Sequence, residues 1–110
     1  ENIIAIIGDG SLSGGEALEG LNVAGSEINS NLIIIVNDNE QSIAEVHGGM
    51  YKNLAELRET GGTASNNLFK AFGLDYIYEE NGNDIASLIS LFRKVKDTDH
   101  PIVVHIHTGI

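Results

Sequence analysis

Cysteine is absent from the 110-residue chain, which removes a disulfide scaffold, a thiolate metal site and a cysteine nucleophile together. Basic side chains are scarce. Six Lys and Arg against 16 Asp and Glu leave a formal charge of −10, and nucleic acid and anionic membrane both require a positive footprint, so neither is expected as a partner. No apolar run is longer than Leu32 to Val36, far short of the ~20 residues of a membrane-spanning helix. No secretory signal is recognisable, and the chain opens at Glu1 almost directly into a buried-type strand. It reads as a piece of a longer intracellular, cytoplasmic protein. What is present can make a core: 42% hydrophobic and 20% charged residues describe a chain that folds, not an acidic tail. At this length one small domain would bury roughly two thirds of its unfolded surface.

Short continuous apolar runs alternate with helical patterns. Ile3 to Ile7 is β-rich and not alternating, as expected of a strand covered on both faces. Ser13 and Glu16 form a capping-box pattern, and Ala17, Leu21, Ala24 and Ile28 follow on one helical face. A second buried strand runs from Leu32 to about Asn37. The polar stretch to Gly62 leaves room for a short helix around Met50 to Arg58. Asn66 or Asn67 caps a brief helix stopped at Gly73, and Leu74 to Tyr78 reads as a third strand. Asn83 is placed to cap the next helix, whose stripe of Ile85, Leu88, Ile89 and Phe92 is expected to be core. Arg93, Lys94 and Lys96 suit its C-terminal dipole. After a turn over Asp97 to Pro101, Ile102 to His107 makes a fourth buried strand. The order points to an α/β fold, a mostly parallel sheet flanked by helices. No internal repeat, low-complexity segment or domain boundary interrupts residues 1–110.

In such a sheet, ligands bind beyond the carboxyl ends of the strands. Gly8-Asp9-Gly10 follows the first strand and Asn37-Asp38-Asn39 the second, so parallel strands bring the two clusters to one edge. The glycines let a ligand approach the backbone, and the next helix aims its free N–H groups at the same edge. One carboxylate, one carboxamide and free N–H groups are a poor acid–base pair but a good seat for Mg²⁺ carrying a diphosphate. That ion takes about six oxygens, only one or two of them from protein. An acidic chain holds an anionic diphosphate only when a metal neutralises the site.

Gly8-Asp9-Gly10 through Asn39 resembles the thiamine-diphosphate motif. Gly8 to Ala17 and Asn37 to Ile43 are similar to 1-deoxy-D-xylulose-5-phosphate synthases and their transketolase relatives, as are Leu68 to Ile77, Gly82 with Asp84, and Pro101 to Thr108. The resemblance covers nearly the whole chain. It implies an incomplete transketolase-like fold in which Asp9 gives a carboxylate to Mg²⁺, Asn39 its side-chain oxygen and Gln41 its backbone carbonyl. Gly10 and Ser11 would offer N–H groups to the diphosphate, with Asn39 also counted among the cofactor-binding residues. It further implies a transferase that passes two-carbon units from a 2-oxo acid or ketose phosphate to an aldose phosphate. The nearest likeness is to the synthase of isoprenoid biosynthesis, which joins pyruvate and glyceraldehyde 3-phosphate with decarboxylation. A homodimer is implied too, with a pyrimidine-binding domain supplied elsewhere; this piece by itself, which has no catalytic residue assigned, is expected to be inactive. Three departures stand out. The stretch from Glu40 to Asn67 is short for the family, Asn83 stands where the family carries histidine, and the chain ends Gly109-Ile110. The first two keep open a transketolase-type ketose transferase with other sugar phosphates.

Other polar residues read more plainly. Glu16 and Glu19 are early-helix charges. His105 and His107 share one strand face and are expected to be hydrogen-bonded rather than metal ligands. Tyr51 and Lys52 read as helix-surface residues, and His47 as a loop residue within reach of a substrate phosphate. A non-catalytic Mg²⁺-binding α/β module is the main rival. A dinucleotide-binding oxidoreductase is disfavoured because Asp9 sits between its glycines and position 13 is Ser rather than the third glycine of that fingerprint.

Overall fold

A computed structural model of the chain describes residues 3–12, 15–26, 31–40 and 49–109. Four strands, β1 (Ile3–Gly8), β2 (Leu32–Asp38), β3 (Asp75–Glu79) and β4 (Ile102–His107), form one sheet in the order β1-β2-β4-β3. Every pairing is parallel: Ile6 lies opposite Ile35, Val36 opposite His105, and Tyr78 opposite His105 from the other side. Four helices connect them: α1 (Gly15–Ala24), α2 (Gly49–Glu59), α3 (Leu68–Ala71) and α4 (Ile85–Val95).

Strand alternation divides the core into two layers. On one face Ile34, Val36 and Val103 pack with Leu21 of α1, Leu54 and Leu57 of α2 and Phe69 of α3. On the other, Ile33, Ile35, Val104 and Ile106 pack with Leu91 and Val95 of α4. Burying each of these leucines, isoleucines and phenylalanines contributes roughly 1.5–3 kcal/mol before chain entropy is counted. The chain crosses from β1 to β2 to β3 by helices on the first face. It then returns by α4 on the second face to place β4 between its predecessors, as right-handed crossovers require.

Three expectations are corrected. The strand at Ile3 to Ile7 is not covered on both faces: β1 is an edge strand, and Ile4 and Ile6, on the α4 side of the sheet, are 56% and 72% exposed. The stripe on α4 is only partly core. Leu88 packs inward with Leu91 and Val95, but Ile85, Ile89 and Phe92 are exposed. Apolar periodicity alone does not say which flank of a helix meets the sheet. The cap of α4 is Asp84, whose carboxylate accepts from the Ser87 N–H, because the side chain of Asn83 accepts instead from the Gly109 N–H at 2.5 Å. For α3 the cap is Asn67, whose side chain accepts from the N–H groups of Phe69 and Lys70. That helix stops before Gly73, at φ 91°, a conformation that glycine adopts freely. Ser13, Ile28, Gln41 and His47 lie outside the described residues.

Candidate functional site

All four strands deliver their carboxyl ends to one edge, where Asp9, Asp38–Glu40, Glu80–Asp84 and Thr108–Gly109 meet. After β1 the chain tightens into a 3₁₀ turn over Asp9–Ser11. The turn buries Asp9 to 8% exposure and leaves Ser11 exposed. The Gly10 N–H donates to the Asp9 carboxylate at 2.9 Å, so Gly10 orients that carboxylate. On α2, Tyr51 is not a plain surface residue: its hydroxyl donates to the Gly10 carbonyl at 3.4 Å.

Asp9 and the second cluster converge. The Asp9 carboxyl lies within hydrogen-bonding reach of the Asp38 carboxylate and of the Glu40 N–H, the residues on either side of Asn39. Burial, together with the neighbouring Asp38 charge, pushes the Asp9 carboxyl above its usual range. Two carboxylates in contact repel unless a proton or a cation lies between them.

Asp38 has the opposite surroundings. It continues the alternation of Ile34 and Val36 onto the α2 side of the sheet, and it is fully buried. Oδ2 accepts from the Arg58 guanidinium at 2.6 Å and from His105 Nε2 at 2.8 Å, and Oδ1 accepts from the Glu40 N–H at 3.2 Å. Burial alone would raise its pKa, but the hydrogen bonds from His105 and Arg58, joined by the Arg58 charge, outweigh it and hold the carboxyl well below the usual range. An ionised Asp38 can only accept, so the His105 proton is assigned to Nε2 and Nδ1 accepts from the Tyr76 hydroxyl at 2.7 Å. Tyr76 stacks on Phe69, and Tyr78 meets the His105 ring edge-on. His105 is thus a hydrogen-bonded core histidine, as its strand position leads one to expect.

Glu40 has φ 62°, the one positive value outside glycine among the described residues, a conformation that costs an ordinary side chain about 1–2 kcal/mol. Its carboxylate meets Arg58 Nε at 3.4 Å and His107 Nε2 at 2.9 Å. His107 Nδ1 reaches Glu80 at 2.9 Å, and Tyr78 also donates to Glu80. The hydrogen bond to Glu80, joined by that to Glu40, raises the His107 pKa. The ends of β2 and β4 are also stitched together: the Thr108 hydroxyl donates to Asn37 at 2.7 Å and its N–H to the Asp38 carbonyl at 3.0 Å. Beside this junction lies a cavity of about 680 Å³ lined by Asn39, Glu40, Glu80, Asn81, Asn83 and His107, among others.

The donor set suits a hard, phosphate-sharing cation. Among the described residues no three His, Asp or Glu side chains make a self-contained metal centre. One buried carboxylate beside a half-buried carboxamide loop is an incomplete oxygen set, of the kind a hard cation completes with phosphate and water oxygens. Asp9, Gly10, Ser11 and Asn39 are therefore gathered at one edge, while Gln41 lies outside the described residues. Neither the role of Arg58 nor the burial of Asp38 is plainly marked in the sequence. The signal was faint: one of only two arginines, sharing a helical face with Leu54.

The architecture is that of the transketolases. It superposes on transketolase from Leishmania mexicana with a TM-score of 0.71 at 23% identity, covering 97% of this chain and 15% of that one. A transketolase variant from Pichia stipitis gives 0.70 at 24%, covering 100% and 15%. A family profile described as 1-deoxy-D-xylulose-5-phosphate synthase matches residues 1–65 and 61–108. The chain belongs to the 1-deoxy-D-xylulose-5-phosphate synthase family. It is 38% identical to the synthase of Listeria monocytogenes over 112 residues, 96% of this chain and 18% of that protein. With synthase 1 of Geobacter metallireducens it shares 35% over 142 residues, again 96% of this chain and 23% of that protein. The chain thus spans about a fifth of the length of these relatives.

Proposed function

We propose that the chain is the cation- and diphosphate-binding part of a thiamine-diphosphate-dependent transferase of two-carbon units, a 1-deoxy-D-xylulose-5-phosphate synthase joining pyruvate to glyceraldehyde 3-phosphate with loss of CO₂. The observation that carries it is the meeting of the Asp9 carboxyl with Asp38 and Glu40 around Asn39, in a chain of this family. Asp9 and Asn39 give side-chain oxygens to Mg²⁺ and Gln41 its backbone carbonyl. Ser11 would offer its N–H to the diphosphate, whereas the Gly10 N–H, expected to do the same, is engaged by the Asp9 carboxylate at 2.9 Å and orients it. When bound, thiamine diphosphate supplies the nucleophilic carbon; the residues here bind the diphosphate end and fix its direction. The remaining parts of the site, a pyrimidine-binding domain and the groups that read the sugar, come from the rest of a cytoplasmic homodimer.

Asn83 stands where the family carries histidine, and it lines the cavity beside Asn39. That favours a second reading, a ketose transferase using other sugar phosphates. CO₂ release from pyruvate that depends on glyceraldehyde 3-phosphate separates the two: the synthase needs it, and the ketose transferase gives none. For the cation site, the full-length protein is titrated with Mg²⁺ and thiamine diphosphate. Asp9→Ala is expected to weaken cofactor binding at least tenfold. A change smaller than threefold, ~0.7 kcal/mol, would show that Asp9 is not a ligand.

A further inference from the structure

We propose that Arg58 is a positioning residue for the cation loop: by holding Asp38 and Glu40 together it fixes Asn39, the residue between them, before any ligand arrives. This rests on the reading of Asp9 and Asn39 as cation ligands.

Arg58 stands at the last turn of α2, on the helical face of Leu54 and Leu57 that packs on the sheet. Its side chain is 17% exposed. One end of the guanidinium donates to Asp38 at 2.6 Å, and its Nε lies 3.4 Å from Glu40. A single rigid fork therefore grips both neighbours of Asn39, a task suited to Arg and only partly met by Lys. The second Glu40 oxygen is taken by His107 on β4. With both oxygens engaged, Glu40 is kept in a left-handed conformation that an ordinary side chain avoids. Its N–H is in turn shared between Asp38 and Asp9. The course of the backbone through Asn39 is thus set by α2 and β4 and tied to the end of β1. A site held this way binds without first ordering its own loop.

Mn²⁺ serves as the probe, since it shares the oxygen preference of Mg²⁺. Its binding to the full-length protein is followed by the loss of the free-ion electron paramagnetic resonance signal, with thiamine diphosphate present. In parallel, amide hydrogen exchange is measured over residues 38–40 without cation. Arg58→Met is expected to weaken Mn²⁺ binding at least tenfold and to speed exchange at Asn39 and Glu40, with Arg58→Lys recovering to within about threefold of the parent. Arg58→Met with parental affinity and parental exchange overturns the proposal. If Arg58→Met does not fold, Glu40→Gly decides: glycine adopts the left-handed conformation freely, so the fold is spared while the tether is lost. Mn²⁺ affinity should then fall at least fivefold, and unchanged affinity overturns the proposal. Asp9→Ala separates the two levels. Loss of binding there with parental binding in Arg58→Met defeats only the positioning role, whereas parental binding in Asp9→Ala defeats the cation reading beneath it.

Discussion

At the scale of single residues, the edge of the sheet is governed by how carboxylates are compensated. Asp38 is buried and paired, Asp9 is buried and faces another acid, and Glu40 and Glu80 share His107. The imidazole is the group of this cluster whose ordinary pKa lies closest to neutral. Its folded pKa lies above the ordinary ~6.5 because of the hydrogen bonds to Glu80 and Glu40. A raised pKa means that the folded state holds the proton more tightly than the unfolded chain. The stabilisation is therefore complete below pH ~6.5 and is lost as pH rises through the folded value. Urea midpoints measured at pH 6 and pH 9 should fall across that interval, and His107→Gln should remove most of the fall. An equal fall in the variant would assign the effect to other groups. Of the residues that meet at this edge, those adjacent to strand ends were legible: Asp9 and Asn39 stand beside turn-forming glycine and asparagine in short polar clusters. Arg58 was not, because its partner lies 20 positions away and nothing local marks the pair.

Elements follow the same division. Helix α1, strands β2 and β4 and a cap at Asn66 or Asn67 could be read from periodicity and capping chemistry, which act within a few residues. The exposure of Ile85, Ile89 and Phe92 could not, since it depends on which side of α4 meets the sheet. Nor could the choice of Asp84 over Asn83 as cap, because Asn83 is claimed by Gly109, 26 residues on. The loop between β3 and α4 turns on a similar long-range contact. The Gly82 N–H donates to the His107 carbonyl at 3.0 Å, and a β-carbon there would lie 2.3 Å from Ile106 Cγ2 and 2.5 Å from that carbonyl. Neither is the free end of a flexible chain, so Gly82→Ala must push the loop off β4. Thermal unfolding should show a loss of about 1–3 kcal/mol, the usual scale of overpacking. A neutral result would mean that the loop shifts freely.

For the molecule as a whole, the parallel order β1-β2-β4-β3 is what gathers residues from 9 to 109 at one edge. Parallel connectivity was legible from alternating strands and helices. The place of β4 between β2 and β3 was not, because both β4 pairings join strands far apart in sequence. Among the described residues the same order leaves β1 with one neighbour and with isoleucines turned toward water. An unpaired row of backbone donors and acceptors beside apolar side chains is a template on which another chain can add a strand. Preparations of the 110-residue polypeptide by itself should consequently form soluble oligomers or precipitate as concentration rises. Ile6→Lys, which puts charge on that face, should keep it monomeric in light scattering without lowering its melting temperature. Handling of the isolated polypeptide is thereby decided less by its ten surplus negative charges than by one uncapped ribbon of main chain.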